Sequence, residues 1–205
     1  VRAFSLLLVL LGLTTDVAFA EPKTLDAQVA VLLEAGVESA VPRDALLALG
    51  PEVPAALMRI WHGTEHKRHV RLRALSALSG IDEPAVRRFF ATLLRGYAKT
   101  ARPDPDPLHP SRSSLALRRV IEATTTLKLT GLEPELSFAL GHRDSAVRRA
   151  AVLGLIRLDT RKARAALDRH AQLETASAVK ALLRDRPAAR AALPPIGPKS
   201  APPPR

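Results

Sequence analysis

A nine-residue run, Val70-Arg71-Leu72-Arg73-Ala74-Leu75-Ser76-Ala77-Leu78, returns in altered form as Val147-Arg148-Arg149-Ala150-Ala151-Val152-Leu153-Gly154-Leu155. Val, Arg, Ala and Leu hold offsets 0, +1, +4 and +8 in both copies, and an apolar residue follows at +11, Ile81 and Leu158. Offsets 0, +4, +8 and +11 share one face of a helix with about 3.6 residues per turn. Asp82 and Asp159 come next, placed to stop one helix and cap the following one. The same frame stands at Val41, Ala45 and Leu49 before Gly50, and more faintly at Leu117-Arg118 with Ile121 and at Val179-Lys180 with Leu183. The five starts lie 29, 47, 30 and 32 residues apart. The long step contains a proline-rich segment of about the excess length, so the underlying period is near thirty residues, the mark of a solenoid.

A second apolar pattern follows each of the first four units. Val53, Leu57, Ile60 and Trp61 stand at 0, +4, +7 and +8, as do Val86, Phe90, Leu93 and Leu94, and Leu132, Leu136, Ala139 and Leu140. Ala163, Leu167, His170 and Ala171 form a poorer fourth copy. Pro51, Pro84 and Pro134 sit near the first three starts, where a missing N–H is harmless. No alternating β-branched segment competes with this reading. The predicted fold is all-α, an α-solenoid of about five stacked helix pairs, each burying a face that it could not bury alone.

The pattern of aspartate, then Val-Arg-x-x-Ala-x-x-x-Leu, then a Gly or Asp turn and an amphipathic helix resembles a HEAT-like repeat. It is clearest from Asp144 through Leu155. The short period is similar to the bacterial branch named for the repeats of phycobilin lyases. The resemblance covers about residues 25–186, with Pro42 in the arginine slot of the first unit and Thr125 in the leucine slot of the third. It implies a helical array used mostly for scaffolding and partner binding, with a few enzymes among its members, and so gives a shape more than an activity.

Three segments stand outside the repeat. Arg2, an apolar run from Ala3 to Leu13 and the tripeptide Ala18-Phe19-Ala20 describe a secretory signal peptide, residues 1–20, cut after Ala20. The run is too short for a membrane span, which takes about 20 apolar residues. Residues 97–112 carry four prolines and no periodicity, an insertion of the kind that is either functional or irregular. Residues 187–205, ending in Pro202-Pro203-Pro204-Arg205, read as a disordered proline-rich tail. The solenoid proper then spans residues 21–186, and the protein is expected in the periplasm or the medium.

Composition narrows the function classes. With no cysteine, there is no thiol nucleophile, disulfide scaffold or cysteine zinc site. Aromatics at 3% argue against stacking platforms for single-stranded nucleic acid. The net charge of +11 favours acidic partners or surfaces. A cation recurs at the second position of four units, Arg71, Arg118, Arg148 and Lys180. Stacking would align these as a basic ladder able to bind an acidic partner. The structural alternative has each one brace its repeat against turn carboxylates such as Asp144, and it is the simpler, since charge at repeat spacing comes with stacking. Arg87-Arg88 and Arg161-Lys162 read as solvated faces.

His62, His66 and His69 would align on one continuous helix, but Gly63 and Thr64 interrupt them and no ligand motif is present. His170 fills an apolar slot and reads as a packing residue. Asp104, Asp106 and His109 are ordinary polar residues of the proline loop. No catalytic constellation, metal site or cofactor site is predicted. The expected function is a non-catalytic exported scaffold that binds an envelope or secreted protein. The alternative is a basic binder of polyanions or acidic membrane surface, without specific nucleic-acid recognition. An enzyme of the DNA glycosylase or bilin lyase type is a more distant third, since export would separate it from the chromosome and no pigment pocket motif stands out.

Overall fold

The computed structural model describes residues 24–35, 43–100 and 112–193. The predicted signal peptide, the loop residues Asp104, Asp106 and His109, and the tail beyond 193 lie outside the described residues. Among those described the chain is all-helical, with eleven helices packed against one another and no strand. They are α1 (Leu25–Glu34), α2 (Arg43–Leu47), α3 (Val53–His62), α4 (Arg68–Leu78), α5 (Pro84–Thr100), α6 (Arg112–Thr126), α7 (Glu133–Ala139), α8 (Ser145–Leu158), α9 (Arg161–Ala171), α10 (Ser177–Arg184) and α11 (Arg186–Ala191).

The helix starts follow local chemistry. Thr24, Asp144 and Thr160 cap α1, α8 and α9 through side-chain oxygens that accept from Ala27, Ala146 and Ala163 N–H, each satisfying a donor that the helix leaves open. Proline occupies the first turn of α3, α5 and α7. The two aspartates predicted to cap the following helix do other work. Asp159 stops α8 in the left-handed region at φ 50°, but its neighbour Thr160 takes the cap of α9. Asp82 instead accepts from Arg87 at 2.8 Å.

Of the pairs expected from the sequence, α8 packs on α9, but α4 with α5 and α6 with α7 do not pack closely. Instead the second helix of each unit packs on the first helix of the next, α3 on α4, α5 on α6 and α7 on α8. Contacts also run between alternate helices: α4 meets α6, α6 meets α8 and α8 meets α10, while α5 meets α7 and α7 meets α9. The positions read from periodicity fill one continuous core. Val70, Ala74, Leu78 and Ile81 are buried, as are Val147, Ala151 and Leu155, and Val86, Phe90 and Leu94.

The ends of the array depart from the sequence reading. Of the helix expected from Val41, Val41 and Pro42 lie outside the described residues, and α2 covers Arg43–Leu47, with Gly50 at φ +116° and Pro51 following it. Before it, α1 packs on both α3 and α4. Residues 97–100 belong to α5, and α6 begins at Arg112, so helices enter the predicted insertion from both sides. The tail boundary also moves. Asp185 accepts from Ala188 N–H and starts α11, which is tethered by Arg190 to Asp159 and by Arg186 to Asp168 at 2.7 Å.

Thr125, the departure in the leucine slot, has a structural reason. A Cβ on Gly154 of α8 would lie 2.8 Å from Thr125 Oγ1 of α6 and 3.5 Å from Leu136 Cδ1. A leucine at 125 would fill the space into which the α8 backbone comes. Thr125 is itself fixed, because its hydroxyl donates to Ile121 O at 2.7 Å. Helix propensity alone would make Gly154→Ala stabilising by about 1 kcal/mol. The contact reverses the sign, and a net loss of about 1–2 kcal/mol is expected by denaturant unfolding. Pairing it with Thr125→Ala should recover most of that loss in a double-mutant cycle. A stabilised Gly154→Ala protein would contradict this packing.

Candidate functional site

Offset +1 lies at the edge of the buried stripe, about 60° round the helix from its centre, so a cation there sits half-buried beside the neighbouring turn. Arg71 on α4 donates from Nε to Trp61 O at 2.9 Å and lies over the Trp61 ring, 5.4 Å from its centroid. That contact joins α4 to the end of α3 and adds a cation–π attraction. Arg118 on α6 pairs along its own helix, Nε to Glu122 Oε1 at 2.8 Å. Lys180 on α10 is half-buried. These side chains serve their own neighbourhoods and do not converge on one site.

Arg148 makes the most extensive of these contacts. Its Nε and Nη2 grip Glu174 Oε2 and Oε1 at 2.9 and 2.8 Å, a two-toothed pairing across 26 residues. Its Nη1 donates to His142 O and Arg143 O at 2.9 and 2.8 Å. The expected partner, Asp144, caps α8 instead. The Glu174 side chain has no solvent exposure and also accepts from Thr175 and Ala176 N–H and from His170 Nε2 at 2.8 Å. The hydrogen bonds from Arg148 hold its carboxyl well below the usual glutamate range, against burial, which raises it. His142 is lowered, chiefly by burial. This cluster clamps the turn before α8 to the turn before α10. His170, read as a packing residue, is one of its hydrogen-bonding members.

Cations two and three positions into the repeat turn the other way round the helix. Arg73 on α4 and Arg119 on α6, with Arg43 on α2, wall a groove of about 590 Å³ whose lining also includes His69, Leu72 and Leu115. None of its described lining residues is acidic. Leu47 and Leu115, 40% and 37% exposed, border it and are two of five large apolar side chains left open among the described residues. A smaller groove of about 160 Å³ adjoins on α6 and α8, lined by Arg118, Arg149 and Arg157 but also by Glu122. Glu122 accepts from both Arg118 and Arg119, so one carboxylate offsets part of the charge on the rims of both grooves.

The histidines do not gather. His62 ends α3 edge-on to Phe89, His66 lies in the turn beside Glu65, and His69 is on α4 at the larger groove. Among the described residues no group of three or more His, Cys, Asp or Glu is placed to hold a metal ion. No described helix is long and apolar enough to cross a membrane. No family model, curated protein or solved structure matches the chain.

The larger groove offers guanidinium groups with apolar edges, suited to carboxylate or phosphate groups.

Proposed function

We propose that the chain is a non-catalytic scaffold, a HEAT-like α-solenoid that holds a polypeptide partner on the face built by α2, α4 and α6. The contact series α4–α6–α8–α10 beside α5–α7–α9 supports the solenoid, because equivalent helices of successive units pack on one another. The observation that carries the binding role is the larger groove, where arginines and exposed leucines share one concavity. Protein interfaces join a desolvated apolar centre to a polar rim and are enriched in arginine over lysine.

The test is affinity capture on the purified protein from envelope extract, eluted in salt steps. One polypeptide recovered in stoichiometric amount and retained at high salt is expected. The net charge of +11 favours a second reading, a binder of polyanions or acidic lipid. Recovery of lipid or nucleic acid alone, released at modest salt, would establish that reading instead, since counterion release governs such binding.

Export belongs to the same proposal and rests on Arg2, the apolar run and Ala18-Phe19-Ala20. Expressed with its first twenty residues, the protein is expected in the envelope fraction with an intact mass that begins at Glu21. An uncut chain confined to the cytoplasm would contradict it.

A further inference from the structure

We propose that the groove between α2, α4 and α6 receives an acidic peptide segment of the partner, with carboxylates on Arg43, Arg73 and Arg119 and an apolar side chain against Leu47 and Leu115. This rests on the scaffold reading and names the chemistry of its binding site. Three guanidinium groups and His69 line one concavity with no acidic residue among its described lining. Like charges held together repel, and an anionic occupant relieves that repulsion while gaining charge-assisted, two-toothed hydrogen bonds. Arginine suits this task because its planar fork matches a carboxylate and is weakly hydrated.

The walls are held in place. Arg43 packs across the turn after α4, its Cδ 3.7 Å from where a Cβ on Gly80 would stand. Arg119 is steadied by one Nη1 hydrogen bond to Glu122 at 3.2 Å. The apolar border separates this groove from a bare anion site, since a free phosphate would leave Leu47 and Leu115 exposed. A chain alternating acidic and apolar residues covers both. The smaller groove on α6 and α8 differs in that an acidic residue, Glu122, is part of its own lining.

The probe is a fluorescein-labelled eight-residue peptide alternating glutamate and leucine, followed by anisotropy on the full chain at about physiological salt. The protein is expected to bind it at least about tenfold more tightly than the same peptide with glutamine for glutamate. Arg43→Gln with Arg119→Gln should weaken binding at least about fivefold. Arg88→Gln with Arg161→Gln, which removes the same charge from exposed positions elsewhere, should change it less than about twofold. If the groove pair fails to fold by circular dichroism, Leu115→Gln replaces it, with a loss of about threefold expected.

Equal weakening by the control pair would overturn the proposal, as would equal binding of the glutamine peptide or no binding of either. Full displacement of the peptide by phosphatidylglycerol vesicles, with vesicle binding lost in the groove pair, would assign the groove to a lipid surface and also overturn it. The two readings fail separately. A polypeptide captured equally by the native chain and the groove pair removes the groove assignment and leaves the scaffold, whereas no captured polypeptide removes the scaffold itself.

Discussion

Glu174→Gln should lower the stability of the protein by about 3 kcal/mol at neutral pH, because it leaves Arg148 charged and largely buried without its counter-ion. The Arg148 side chain is 13% exposed and that of Glu174 fully buried, so solvent screens little of the pairing. The amide keeps the shape of the carboxylate but offers one acceptor oxygen where the structure uses two, on Arg148, His170, Thr175 and Ala176. For a chain of this size the loss corresponds to a fall in Tm of roughly 6–12 °C by circular dichroism. Arg148→Met should act in the same direction.

The pH dependence carries a signature of its own. The native carboxyl of Glu174 titrates below its unfolded value, first because Arg148 hydrogen-bonds to the charged form. Its stabilisation is complete above the unfolded pKa, about 4.3 for glutamate. It is lost as pH falls from there toward the native pKa, at up to about 1.4 kcal/mol per pH unit. Glu174→Gln has no such proton to take up. Its stability should therefore fall less steeply than that of the native chain between pH about 4.5 and about 2.5. Parallel curves, or an unchanged Tm at neutral pH, would show that the clamp contributes nothing.

Phe90→Ala is expected to cost about 4 kcal/mol, in the range for emptying a buried aromatic site. Phe90 is wholly buried in one stripe of α5 with Val86 and Leu94, and α5 packs on both α6 and α7. Its ring meets Phe89 edge-on, with centroids 5.5 Å apart. Fixed backbones on two sides leave little scope for collapse, so the cavity persists. Phe90→Leu should recover more than half of the loss by chemical denaturation. A cost for Phe90→Ala below about 1 kcal/mol would mean that the site closes over or is hydrated.

These two substitutions mark the limits of what the sequence carries. Phe90 is legible because a stripe at 0, +4, +7 and +8 states its burial before any partner is known. The same arithmetic placed α3 to α10 close to their observed positions. Glu174 is not legible. It follows α9 in an irregular turn, and its meaning depends on an arginine 26 residues away that packing brings into reach. The sequence offers Arg148 as a brace to a turn carboxylate and names Asp144, but only packing brings Glu174 to it.

The groove was half legible. Offsets +2 and +3 from the first valine or leucine place Arg73 and Arg119 away from the cations at +1, and helical geometry alone gives that division. What periodicity could not supply is α2, ending before Gly50 and bringing Arg43 to the same concavity. The packing of α1 on α3 and α4 is equally hidden, since Leu25–Glu34 lies before the first of the five repeat starts. Local pattern fixes faces. The spacing between faces comes from packing.

Site-specific photocrosslinking addresses the binding face most directly. A photoreactive phenylalanine at Leu115, on the groove, is compared in cells with one at Phe138, an exposed side chain of α7 outside the groove lining. A discrete polypeptide adduct at Leu115, absent at Phe138 and lost with Arg43→Gln and Arg119→Gln, is the predicted result. Adducts of equal yield at both positions, or no polypeptide adduct at Leu115, would contradict the account.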